Sequence, residues 1–151
     1  MERRNVNGAA VRAIREALGH PGSQFATKAT MSHALLCNVE AGRRQPSVDA
    51  AARIVAHLGV DATAITYPVV TAPTAGRRIN GATVRALREA LQVPGGEFAG
   101  RIQISHAYLT NVEAGRKQPS AAVIRRIADE LGVPLAAITY PVLSDRSEDV
   151  A

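Results

Sequence analysis

Tryptophan is missing from this 151-residue chain, and three tyrosines and two phenylalanines are all its aromatic content. Any core must therefore be built from Ala, Leu, Ile and Val, which suits small helical modules. Cysteine occurs once, at Cys37, which excludes an intramolecular disulfide and any structural zinc site resting on a cysteine cluster. Lysine is confined to Lys28 and Lys117, so arginine carries nearly all the positive charge. No stretch approaches the roughly 20 apolar residues that span a bilayer, and no apolar run follows the first positive charges as a secretory signal requires. These absences lead to the expectation of a cytoplasmic protein with no membrane contact, no metal and no cofactor.

The residues present are 46% hydrophobic, enough for a globular core, and carry a formal net charge of +5. A basic balance suits an anionic partner, although a soluble protein without one can carry it too. More specific is an internal repeat. Residues 6–70 align with 79–143 at a constant offset of 73 without a gap, and more than half of the pairs are identical. Such a match means two copies of one module, each large enough to bury a core. The expected organisation is a first domain over 1–70, a linker over 71–78 (TAPTAGRR), a second domain over 79–143 and an acidic tail over 144–151.

Within each copy the apolar spacing is helical. Val11, Ile14 and Leu18 mark the inward side of a first helix, and Val84, Leu87 and Leu91 mark its counterpart. Phe25 and Ala26, or Phe98 and Ala99, mark a second. A fourth ends at Leu58 and Gly59, or at Leu131 and Gly132, and a short fifth covers 62–65, with Pro134 opening its equivalent. The expectation is all-α: two tandem five-helix domains joined by a short linker. TYPVV and TYPVL, which close the copies, are the only candidates for extended structure, packing on their own module or on each other.

The third helix lies in the most characteristic stretch, SHALLCNVEAGRRQPS over 32–47 and SHAYLTNVEAGRKQPS over 105–120. Ser32 and Ser105 can cap it, Leu36 and Val39 (Leu109 and Val112) face inward, and Gly42 and Gly115 stop it in a left-handed conformation. On its other side stand His33, Ala34, Cys37 and Asn38, matched by His106, Ala107, Thr110 and Asn111. Small, polar and uncharged, these side chains suit base edges. Asn can make the two-bond pairing with adenine, the Ala methyl can approach a thymine methyl, and His can donate to guanine or phosphate. Polar residues at a helix start that simply face water would look the same. Arg43, Arg44, Arg116 and Lys117 follow at once and are the phosphate candidates, although charge runs are often only solvated. Arg3, Arg4, Arg77 and Arg78 precede the modules as arms that can enter a minor groove, or as solubilising charge.

These stretches resemble the Cro and phage-repressor (Xre-like) helix-turn-helix family, and the resemblance covers nearly the whole chain as a tandem duplication. It implies a lambda-repressor-like fold whose third helix lies in the major groove. The implied base-reading residues are His33, Ala34, Asn38, His106, Ala107 and Asn111, with Ser32, Cys37, Ser105 and Thr110 as additional contacts. It also implies structural ion pairs of Arg15 with Glu40 and of Arg88 with Glu113. Two departures stand out. Family members usually have Gln in the first turn of helix two, bracing the first base-reading side chain, where this chain has Gly22 and Gly95. Their turn between helices two and three usually contains Gly, where Thr30 and Gln103 stand here; a non-Gly residue in a left-handed conformation costs on the order of 1 kcal/mol, which leaves room for a reshaped turn.

The functional expectation is a transcriptional regulator, in the main a repressor, that binds double-stranded DNA with two recognition helices in one chain. The rival is an antitoxin-like or adaptor module that uses the same fold to bind a protein. Catalysis is not expected: His33 and Cys37 are four apart, yet Thr110 replaces the cysteine in the second copy and no third ligand is in sight. No small-molecule ligand is expected. One chain is expected to bind as a monomer on DNA, its linker spanning two half-sites about 34 Å apart, with a homodimer as the alternative. Linker length leaves direct and inverted half-sites equally open.

Overall fold

A computed structural model describes residues 4–69, 71–72 and 76–144. Arg3, positions 73–75 of the expected linker and the acidic tail beyond Ser144 lie outside the described residues. The first module runs β1 (Arg4–Val6), α1 (Gly8–Ala17), α2 (Gly22–Lys28), α3 (His33–Glu40), α4 (Val48–Leu58), a 3-10 turn (Ala62–Ala64) and β2 (Thr66–Pro68). After β3 (Thr71–Ala72) the order returns as β4 (Gly76–Ile79), α5 (Gly81–Ala90), α6 (Gly95–Arg101), α7 (His106–Glu113), α8 (Ala121–Leu131), α9 (Leu135–Ile138) and β5 (Thr139–Ser144).

The chain is mostly helical, with two corrections to the all-α, five-helix expectation. First, short strands frame each module. β1 pairs antiparallel with β2, and β4 with β5 in the equivalent register, so that Val6 lies opposite Thr66 and Ile79 opposite Thr139. The stretch expected as a linker therefore contains β3 and most of β4. Strands of two to six residues carry too little alternation to be read from sequence. Second, the fifth helix of the first module is only a 3-10 turn. Asp61 tightens it by accepting from the Thr63 N–H at 2.9 Å, whereas Pro134 occupies that place before α9.

Side-chain caps start the long helices where the sequence places them. Asn7 Oδ1 accepts from the Ala10 N–H at 3.3 Å, Ser32 Oγ from Leu35 at 3.0 Å and Ser47 Oγ from Ala50 at 3.1 Å. Apolar residues at helical spacing then turn inward: Val11 and Ile14 from α1, Phe25 from α2, Leu36 and Val39 from α3, Ile54 and Leu58 from α4. Val84, Leu87, Phe98, Leu109, Val112, Ile127 and Leu131 repeat the set. Gly8 and Gly81 bring the first helix of each module hard against the end of the third. A Cβ on Gly8 would lie 1.9 Å from the Val39 carbonyl oxygen, and one on Gly81 2.0 Å from that of Val112.

The modules do not hang from a tether; they share one continuous core. α1 packs on α5 and α9, and α5 packs on the 3-10 turn of the first module. Asn7 Nδ2 donates across to the carbonyls of Ala136 at 2.8 Å and Thr139 at 3.2 Å. Asn80 Nδ2 donates in return to Thr63 at 2.8 Å and Thr66 at 3.3 Å. Each acceptor is the repeat counterpart of the other, so the contacts are reciprocal. Reciprocity is the mark of a two-fold relation, because a simple translation would bring different faces together. Tyr67 and Tyr140, also counterparts, stack on each other with ring centroids 5.7 Å apart and planes within 10°. The two closing segments thus do both things expected of them, pairing within their own modules and packing together. β3 runs parallel beside the end of β5, with Thr71 opposite Leu143. No helix among the described residues is long and apolar enough to cross a membrane.

Candidate nucleic-acid interface

α3 and α7 are held from three sides. From behind, Leu36 and Val39 anchor α3, and Leu109 and Val112 anchor α7, all nearly inaccessible. Beneath, Arg15 Nε and Nη2 donate to the two carboxylate oxygens of Glu40 at 2.7 and 3.1 Å, while Nη1 donates to the His20 carbonyl at 2.7 Å. Arg88 repeats this with Glu113 at 2.7 and 3.1 Å and with the Val93 carbonyl at 2.9 Å. Hydrogen bonding to the carboxylate raises each guanidinium pKa further above its ordinary value, so the pair keeps its positive member charged. The fork ties the end of the third helix to the first helix and to the loop before the second.

The third hold is not evident from the sequence. Gln45 Oε1 accepts from the Val6 N–H at 2.8 Å and its Nε2 donates to the Val6 carbonyl at 3.1 Å, closing the loop after α3 onto β1. Gln118 Oε1 accepts from the Ile79 N–H at 3.1 Å in the second module. The one available signal is the identity of Gln45 and Gln118 in a loop where a basic residue changes from Arg44 to Lys117.

The face turned away from these holds carries the residues singled out above. His33, Ala34 and Cys37 are exposed and Asn38 is half-buried; His106, Ala107, Thr110 and Asn111 repeat the pattern. Ser32 and Ser105 are exposed too, but their hydroxyl oxygens cap α3 and α7. The two faces differ at the residue one turn after the histidine. Cys37 Sγ lies 3.6 Å from His33 Nε2, whereas Thr110 Oγ1 donates to the His106 carbonyl at 3.0 Å. Arg43, Arg44, Arg116 and Lys117 are all exposed just beyond the helices, and Arg116 Nη1 reaches Asn111 Oδ1 at 3.4 Å. Among the described residues, Arg43, Arg44 and Lys117 make no ion pair, whereas Arg12, Arg85 and Arg101 on other faces are paired with glutamates. Unpaired positive charge thus lies beside the third helices, as it does at Lys28, Arg53, Arg78 and Arg125 elsewhere among the described residues. Each module contributes one such face.

Of the expected arm residues, Arg4 and Arg77 are tied to their own modules. Arg4 Nε donates to Thr66 Oγ1 at 2.9 Å and Arg77 Nε to Thr139 Oγ1 at 2.8 Å, each holding the strand pair of its module. Arg78 is exposed. The turn before the third helix is not reshaped: Thr30 and Gln103 take φ of 56° and 61°, the left-handed values a glycine would supply. Gly42 and Gly115 close α3 and α7 at φ of 75° and 79°.

A family model described as a helix-turn-helix domain matches residues 8–65 and again residues 81–138. No curated protein and no solved structure is similar enough to the chain to count as a match.

Proposed function

The chain belongs to the helix-turn-helix domain family, twice over, and from that premise we propose that it is a double-stranded DNA-binding regulator reading one bipartite site with α3 and α7. Phosphates supply most of the affinity, through Arg43, Arg44, Arg116 and Lys117 and through N–H groups at helix starts. Base edges supply discrimination, through His33, Ala34 and Asn38 and their counterparts His106, Ala107 and Asn111, with Cys37 and Thr110 beside them. Arg78 lies in β4, but its exposed side chain lacks the hydrogen bonds that hold that of Arg77 and adds a contact to the DNA backbone. The output is repression, because a chain covering two half-sites blocks access to the DNA beneath it.

The observation that carries this reading furthest is the reciprocal packing of the modules through Asn7 and Asn80. Two readers related by a two-fold axis meet their half-sites in opposite orientations, so the site is an inverted repeat. The halves are related but not identical, because Leu35 and Cys37 stand in one helix where Tyr108 and Thr110 stand in the other. The packing also takes the place of the short linker expected to span the half-sites, and it supports one chain filling the role of a dimer. Selection of bound duplexes from a random pool tests this. Inverted, unequal half-sites are expected; enriched direct repeats would overturn the two-fold reading. No enrichment would favour the rival in which the faces bind a protein.

A further inference from the structure

We infer that Gly22 and Gly95, which make no contact with DNA in this scheme, set the orientation of His33 and His106 and so the preference at the first reading position of each module. The inference rests on the DNA-binding reading and adds positioning residues to it. His33 and His106 open α3 and α7 with exposed rings, and an exposed imidazole has several staggered rotamers open to it. Here the rings lie over the first turn of the preceding helix. A Cβ built on Gly22 would meet His33 Nε2 at 3.1 Å and Cδ2 at 3.6 Å. One built on Gly95 would meet His106 Nε2 at 2.8 Å and Cδ2 at 3.3 Å. The guanidinium carbon of Arg15 or Arg88 lies behind, 3.8 Å from the same point, and is itself fixed by the fork to Glu40 or Glu113.

Conformation does not explain these glycines. Neither has positive φ, and both sit in the first turn of a helix, where glycine is a weaker helix former than alanine. Gly96 and Gly100, in the same helix as Gly95, have nothing within 4 Å of the point where a methyl would stand. What distinguishes Gly22 and Gly95 is the imidazole resting on them. The missing Cβ is therefore a seat for the ring, and Gly95 is the tighter seat.

The test compares Gly95→Ala with the parent chain. Because the atom in the way is the far end of a side chain, the ring should swing aside at little cost in stability. The His106 ring resonances of the free chain should move while the melting temperature stays close to that of the parent. Base preference at the position read by His106 should change by about 3- to 10-fold, the size of one hydrogen bond to an uncharged partner, with the salt dependence of binding unchanged. In a His106→Ala background, Gly95→Ala should produce no further change in preference. Gly22→Ala should act in the same way but more weakly, and Gly100→Ala should leave preference alone. The inference is overturned if Gly95→Ala binds with the parent's preference profile, or if the change is just as large in the His106→Ala background. A parent chain that binds no duplex from the pool would instead remove the DNA reading itself, and the inference with it.

Discussion

Arg15 and Arg88 show how much of the interface depends on a single side chain. Each guanidinium gives two bonds to a carboxylate and one to a loop carbonyl, and the side chains of Glu113 and Glu40 are only 10% and 9% exposed. Removing one partner strands a charge that is almost buried. Arg88→Ala is therefore expected to destabilise the chain by about 3–5 kcal/mol, read as a lowered urea midpoint. Replacing Arg88 and Glu113 together by Met and Leu should lose much less, since no orphaned charge remains. The pairs could be named from sequence because both partners recur at the same spacing in both copies. Thr30 and Gln103 are a different case. Their place in the turn is legible, but whether the turn bends to suit them is not, because local strain is decided by the packing on either side. The packing wins, and both residues hold left-handed values.

At the scale of an element, the third helix depends on how closely the first can approach it. The Val112 carbonyl oxygen would be 2.0 Å from a methyl on residue 81, and backbone cannot step aside as a side chain can. Gly81→Ala is expected to destabilise by about 3 kcal/mol or more in thermal or urea unfolding, because it combines overpacking with a displaced helix. Gly100→Ala, in open space, should be neutral to mildly stabilising. For the reading helices, Asn111→Ala should cost roughly 1–3 kcal/mol on the preferred site and much less on unrelated duplex. Equal losses on both would mean that Asn111 only positions the chain. The helices and their faces are legible because 3.6-residue spacing, serine caps and terminal glycines act locally. The strands, the Gln45 clamp and the seating of His33 on Gly22 are not, because each depends on residues that only the folded chain brings together. Gly22 and Gly95 stand out in the sequence as departures from a family pattern, without an indication of what fills the space.

For the whole molecule, the repeat predicts two modules correctly but leaves their relation open, since a linker's length limits distance and says nothing of orientation. The reciprocal bonds of Asn7 and Asn80, the stacked tyrosines and the shared core supply that relation. Charge acts at this scale as well. If Arg43, Arg44, Arg116 and Lys117 all meet phosphates, log K should fall by about 0.9 per contact for each unit of log salt. Arg43→Gln should flatten that slope by about one unit. Binding that ignores salt would speak for a protein partner instead.

The claim on which the rest depends is that one chain does the work of a dimer. The mass of the complex on a short duplex carrying a single selected site, measured by sedimentation or native mass spectrometry, tests it most directly. One chain per site is expected. Two chains on the minimal site would contradict it, for each α3 and α7 would then have its partner on another molecule.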